Sequence, residues 1–169
     1  RALLKRLGVH VRVHGTCPDD ATILISNHRS YLDIPVLAAV RPCAFLAKQE
    51  IATWPLPGFC ARAAGTVFVN RGDRESQQAA RLALQHRANR GEMVALFPEG
   101  TTFEGPGMLP MRNGVFRIAT DAQAPIAPAV IVYTKRDAAY VHGDHFVSHF
   151  LTLMRERRLE VHVSFGPTV

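Results

Sequence analysis

The chain has only three cysteines in 169 residues, Cys17, Cys43 and Cys60, and no two stand in a C-x-x-C pair. Neither a zinc knuckle nor a dithiol redox motif is indicated. Three reduced thiols in a cytosol-facing domain are expected. No apolar run approaches the roughly 18–20 residues of a membrane span, and no signal-peptide pattern is visible. Dense basic runs and basic-aromatic stripes are missing too, which speaks against a nucleic-acid partner. There is no G-x-S-x-G elbow and no Walker loop, and Gly100, Gly105 and Gly107 do not make a dinucleotide fingerprint. No internal repeat or low-complexity linker divides the sequence, so one domain over residues 1–169 is expected.

What is present fits a globular fold. The hydrophobic fraction is 47%, and 20 basic against 14 acidic residues leave a formal charge of +6. That balance suits an anionic partner: a phosphorylated metabolite, an acidic protein or a lipid surface. The chain begins at Arg1 rather than Met and reads as a fragment lacking an upstream membrane-anchoring segment. Residues 1–7 fit the end of an amphipathic interfacial helix or an ordinary surface helix equally well.

Apolar runs at 9–13, 21–26, 44–47, 66–69, 93–97, 126–132 and 159–165 read as strands. They alternate with helical patterns at 30–40, 73–89, 113–122 and 150–157. Pro55, Pro57 and Gly58 break the segment 51–64 into short helical turns. Pro35 is tolerable only near the first turn of its helix, so that helix is expected to start a residue or two after Ser30. Near-continuous apolar strands alternating with helices predict an α/β fold with a largely parallel central sheet flanked by helices. In such sheets the loops after the strands carry the site.

Three polar clusters follow apolar strands directly. The first runs from Asn27 and His28 to Asp33. At about 100° per residue, positions five apart lie far round a helix, and on a strand they face opposite sides. His28 and Asp33 can meet only where the chain turns. Two readings stand side by side: a general base with its orienting carboxylate, or a capping-box-like helix start in which Ser30 and Asp33 serve the backbone alone. The second cluster is Asn70-Arg71, where a guanidinium fork could hold a phosphate or simply end a strand at the surface. The third is Pro98-Glu99-Gly100-Thr101-Thr102. Lys48 and Glu50 follow another strand and suggest a solvated ion pair. Arg112 and Asn113-Gly114 open a helix whose free N–H groups would favour an anion. His142, His145 and His149, with Asp144 among them, are a conceivable metal cluster, though surface histidines account for them as well.

Taken in order, these clusters resemble the glycerolipid acyltransferase family, the lysophosphatidic acid acyltransferases. His28-x4-Asp33 is similar to its first motif and Gly65-Thr66-Val67-Phe68-Val69-Asn70-Arg71 to its second. Phe97-Pro98-Glu99-Gly100-Thr101-Thr102 is similar to its third, and Ala127-Pro128-Ala129-Val130 to its fourth. The sequence departs from the family at Asn70, where many members have Asp, at Thr102, where many have Arg or Ser, and in the Ala-Pro-Ala form of the fourth motif. The resemblance implies that His28 is the base and Asp33 its orienting partner. It implies acceptor binding by Arg71, Glu99, Gly100 and Thr101, with Arg71 on a phosphate and Glu99 on a hydroxyl or a cation, and further phosphate contacts from Lys48 and Arg112. It implies acyl transfer from acyl-CoA or acyl carrier protein to a lysophospholipid such as 1-acylglycerol-3-phosphate, without a cofactor or metal. It also implies a membrane-associated protein with its site facing the cytoplasm. A lyso-aminolipid acceptor, a non-catalytic lipid-binding module and a metal-dependent hydrolase using the 142–149 histidines are the competing expectations.

Overall fold

A computed structural model of the chain describes residues 1–20, 22–54, 57–135, 138–140, 146–155 and 158–169, with backbone alone at 154. In chain order the elements are α1 (Ala2–Arg6), β1 (Val9–His14), β2 (Ile23–Ser26), α2 (Asp33–Val40), β3 (Ala44–Lys48) and a 3-10 turn (Gln49–Thr53). They continue with α3 (Pro57–Ala63), β4 (Val67–Val69), α4 (Arg74–Asn89) and β5 (Val94–Leu96). The last are α5 (Asn113–Ala122), β6 (Ile126–Tyr133), α6 (Phe146–Arg155) and β7 (Leu159–Phe165).

The strands form one sheet in the order β1-β7-β6-β2-β5-β3-β4. β6, β2, β5, β3 and β4 run parallel; β7 is antiparallel to β6, and β1 runs parallel to β7. A parallel neighbour needs a crossover, and α2, α3, α4 and α5 supply one between each successive pair from β2 to β6. The carboxyl ends of five strands therefore gather at one edge, where Asn27, the residues after Lys48 and Val69, Phe97 and Tyr133 stand close in space.

Both faces of the central strands are covered, which is why β2 is buried at all four positions. Ile23 and Ile25 pack with Leu84 of α4, Val94 and Leu96 of β5 and Ile118 of α5. Leu24 and Ala95 face the other way, with Val36 and Leu37 of α2 and Phe45 of β3. Leu84 is fully buried, and burial of a leucine contributes about 1.5–3 kcal/mol. α4 buries Ala80, Leu84 and Ala88, four residues apart on one stripe, and Asp73 caps it by accepting from the N–H groups of Glu75 and Ser76.

α2 starts at Asp33, three residues later than Ser30, so Pro35 falls in its first turn. Its buried stripe is Asp33, Val36 and Leu37, which puts a carboxylate where a helix of this kind would carry a core apolar residue. α6 begins at Phe146 rather than 150. Phe146 and Phe150 stack at 5.9 Å, and both lie against Tyr31, so the helix is extended by an aromatic cluster that its mixed sequence does not announce. Among the described residues no helix is long and apolar enough to cross a membrane.

The three cysteines are free: Cys17 is buried, Cys43 half-buried and Cys60 exposed. Burial, and then the neighbouring Cys17, push the Cys43 thiol up from 9.0 to about 12. The native state thus favours the neutral thiol. Its contribution to stability is complete below the unfolded value near 9.0 and is lost as pH rises toward about 12. The urea midpoint is expected to fall between pH 8 and pH 11, while a thiol reagent at pH 8 modifies Cys60 alone until the chain unfolds. Equal midpoints at the two pH values would contradict this assignment.

Candidate active site

The turn after β2 is built around one carboxylate. Asp33 is fully buried, and its Oδ2 accepts from the N–H of Arg29 at 2.6 Å, the N–H of Ser30 at 3.0 Å and Nδ1 of His28 at 2.8 Å. The backbone contacts of the capping reading and the His28 contact that the catalytic reading requires are therefore made by the same atom. Asp33 reaches back to the Ser30 N–H as the third residue of a capping box does, and the same oxygen holds the imidazole. The Ser30 hydroxyl contributes only a long bond, 3.4 Å, from the Leu32 N–H.

A carboxylate only accepts, so in the neutral imidazole the proton sits on Nδ1 and Nε2 carries the lone pair. Nε2 has no partner among the described residues. The ring lies flat on Phe97, with centroids 4.1 Å apart and planes 13° from parallel, and Phe97 in turn stacks on Phe45. The His28 side chain keeps 18% of its surface open.

Two features missed in the sequence complete this half of the site. Tyr133, the last residue of β6, donates its hydroxyl to Asp33 Oδ1 at 2.6 Å. Arg29 turns away from the dyad. Its guanidinium donates to the carbonyls of Phe103, Gly105 and Gly107 and sits 5.6 Å from the Phe103 ring. Those contacts bind the loop after β5 to the loop after β2, and the Phe103 N–H adds a bond to the His28 carbonyl at 3.0 Å. Arg29 lies inside the first motif, so its position was visible. Tyr133 merely ends an apolar run, and no local signal marks it.

Glu99 folds back onto the backbone of two neighbouring loops. It is 3% exposed, and its two oxygens accept from the N–H groups of His28 and Leu109, each at 2.9 Å. In this geometry it brackets the base and the following loop. Gly100 stands beside it in the left-handed region, φ 70°. A Cβ there would come within 2.7 Å of Arg112 Nε, the far end of an exposed side chain that can shift, so it is the left-handed backbone that favours glycine.

The cations gather around Gly100. Arg71 Nη1 donates to the Gly100 carbonyl at 2.6 Å, and Arg112, at the entry to α5, lies on its other side. Partial burial lowers the Arg71 pKa from the ordinary arginine value; the charge of Arg112 lowers it further, and Glu50 opposes the shift. Two like charges so placed are better satisfied with an anion between them, and Arg71 keeps further N–H groups to offer one. Asn70 shapes this loop by accepting from the Gly72 N–H at 3.0 Å, an Asx turn that Asn and Asp both make. Lys48 is exposed at the end of β3, next to Val69 in the register. Thr101 is exposed at the same rim.

His142, Asp144 and His145 lie outside the described residues. Both ring nitrogens of His149 are engaged, Nδ1 with the Tyr31 hydroxyl and Nε2 with the Ala139 carbonyl, each at 3.0 Å.

An imidazole whose Nε2 has no partner among the described residues, a buried carboxylate behind it and a guanidinium pair at the same sheet edge give this α/β site groups suited to proton transfer and to anion binding. The acyltransferase family profile matches residues 10–132. The chain is 35% identical over 167 residues to a lyso-ornithine lipid O-acyltransferase of Pseudomonas aeruginosa, covering 95% of this chain and 64% of that protein. It is 36% identical over 135 residues to a 1-acyl-sn-glycerol-3-phosphate acyltransferase of Neisseria meningitidis, covering 79% of this chain and 53% of that protein. Its fold matches the crystal structure of the 1-acyl-sn-glycerophosphate acyltransferase PlsC of Thermotoga maritima with a TM-score of 0.71, at 22% identity, over 99% of this chain and 64% of that one. The chain belongs to the acyltransferase family of glycerolipid enzymes. It spans 53–64% of the length of these relatives.

Proposed function

We propose that this domain transfers a fatty acyl group from an acyl thioester to the free hydroxyl of a lysophospholipid, with 1-acylglycerol-3-phosphate as acceptor and phosphatidic acid as product. The observation that carries the reading is the His28 Nδ1–Asp33 contact of 2.8 Å, which leaves Nε2 as the base. Nε2 takes the proton of the acceptor hydroxyl as its oxygen adds to the thioester carbonyl. The tetrahedral adduct then expels the thiolate, which recovers the proton from the imidazolium. Asp33 stabilises the imidazolium between the two steps. A thioester already has a good leaving group, so no acyl-enzyme and no cofactor are called for. Arg71 and Arg112 would hold the acceptor phosphate, and Lys48 and Thr101 lie at the rim where its outer oxygens would emerge. Acyl-CoA or acyl carrier protein is the proposed donor, and the membrane surface from the cytoplasmic side the proposed place of work. The net charge of +6 suits an acidic donor and an anionic bilayer alike.

A lyso-ornithine lipid acceptor is the second reading, favoured by a relative of that name that aligns over 95% of the chain. Arg71 would then take a carboxylate, for which its fork is equally suited. Product analysis with both acceptors and defined thioesters separates the two. Turnover of the aminolipid alone would sink the phosphate assignment, and no transfer to either would leave a lipid-binding module. For whichever acceptor is used, Arg71→Ala is expected to raise its KM roughly 10–100-fold, the scale of a lost charge-assisted contact. An unchanged KM would remove Arg71 from the binding site.

A further inference from the structure

We propose that Tyr133 is a positioning residue that sets the base strength of the His28–Asp33 pair, through its hydroxyl on the oxygen of Asp33 that the turn leaves open. The role rests on the acyl-transfer reading above for its kinetic consequence, though not for its physical basis.

Three of the four donors on Asp33 come from residues at most five positions away, and all three converge on Oδ2. A turn of this shape brings them there by itself. The fourth, the Tyr133 hydroxyl, comes from 100 residues downstream and is alone on Oδ1. Its delivery is built into the sheet. β2 ends at Ser26, but the Asn27 side chain continues the ladder: Oδ1 accepts from the Ile131 N–H at 2.7 Å and Nδ2 donates to the Ile131 carbonyl at 2.9 Å. That clamp fixes β6 past the end of β2. Strand alternation then aims Tyr133, two residues on, to the same face as Ile131 and onto Asp33. Burial, with the Asp33 charge behind it, pushes the phenol well above its ordinary acidity range, so it stays a donor.

A short O–H···O⁻ bond draws carboxylate charge toward the donor. On Oδ1 it leaves less charge on Oδ2 to stabilise the His28 imidazolium. Tyr133 thus both locks the carboxylate plane and draws charge away from the oxygen that faces His28. The other titratable or charged groups facing the pair are held elsewhere. Glu99, after β5, bonds to the His28 N–H with Oε1. Arg29 points to the 103–107 carbonyls. Tyr31, in the turn itself, bonds to His149. Among the described residues, the side chains that bond to the Asp33 carboxylate are those of His28 and Tyr133.

The test is Tyr133→Phe, which removes the hydroxyl and keeps the ring. The ascending limb of kcat/KM against pH is expected to move to higher pH by about half a unit, the scale of one neighbouring hydrogen bond. kcat at pH 7 is expected to fall roughly tenfold with acceptor KM little changed. The same displacement should appear in the ligand-free protein, in the His28 ring titration followed by NMR. That measurement needs no substrate, so a wild-type chain inert toward lysolipids would overturn the acyl-transfer reading while Tyr133 is still judged separately. A limb and a ring titration that both stay at their wild-type positions would overturn the proposal, whatever happens to the melting temperature. If Tyr133→Phe does not fold, a fluorotyrosine at 133, a stronger donor, should move the His28 titration to lower pH; no movement there equally overturns it.

Discussion

His28→Ala is expected to lower acyl transfer by about 10²–10⁴-fold at saturating acceptor, the range spanned by positioned proton transfer. The loss should fall on kcat, because in the proposed reaction the ring takes a proton, while the acceptor's charged group is proposed to bind at Arg71 and Arg112 beside Gly100. Stability should change little by comparison. The imidazole is partly open and its strongest contact besides Asp33 is the Phe97 face; the backbone N–H bond to Glu99 survives any side-chain change. Steady-state assay beside a melting curve makes the check. A variant that keeps near wild-type kcat would show that His28 is not the base, and one that loses activity only in proportion to a lowered melting temperature would mean the same.

Asp33→Asn is expected to combine a catalytic and a structural loss. An amide can keep one acceptor oxygen toward the three donors on Oδ2, but it carries no charge to stabilise the imidazolium, and it turns an NH2 toward Tyr133. In a triad of this logic the equivalent change costs about 10⁴-fold in kcat, and a loss of that order, at least about 10³-fold, is expected here. Unlike His28, Asp33 is fully buried, so the change from charge-assisted to neutral bonds should also lower stability by about 1–3 kcal/mol. Asp33→Ala, which strands four donors that are buried or part-buried, should be worse in both respects. Equal activity of Asp33→Asn and wild type would reduce Asp33 to a helix-capping group.

Much of the scaffold was legible in the sequence because each element carries its own period or punctuation. The run Ile23–Ser26 is apolar on both faces, and it is a central strand. Asp73 before a long amphipathic pattern does cap α4. Pro35 constrained the start of α2, and Gly100 marked a turn whose left-handed backbone favours glycine. His28 and Asp33 were legible for the same reason: they are five residues apart, and a single turn decides whether they meet. That Glu99 follows β5 in a tight turn was legible, but not its orientation. Whether a carboxylate between Pro98 and Gly100 faces solvent or folds back onto the His28 and Leu109 N–H groups depends on where two other loops pass. The start of α6 was hidden too, since it rests on Phe146 and Phe150 meeting Tyr31 more than 100 residues earlier in the chain.

The sequence by itself determined the α/β class, the meeting of His28 with Asp33 and the family, because these depend on residue types at short spacings, where backbone geometry permits few outcomes. Only the tertiary structure decided the strand order. That order sets β6 beside β2, and so brings Tyr133 onto Asp33, and it lets Arg71 cross from the end of β4 to Gly100 after β5. Such contacts join segments that share no local period. They are chosen by how crossovers and buried faces pack together, and no window of the chain contains them.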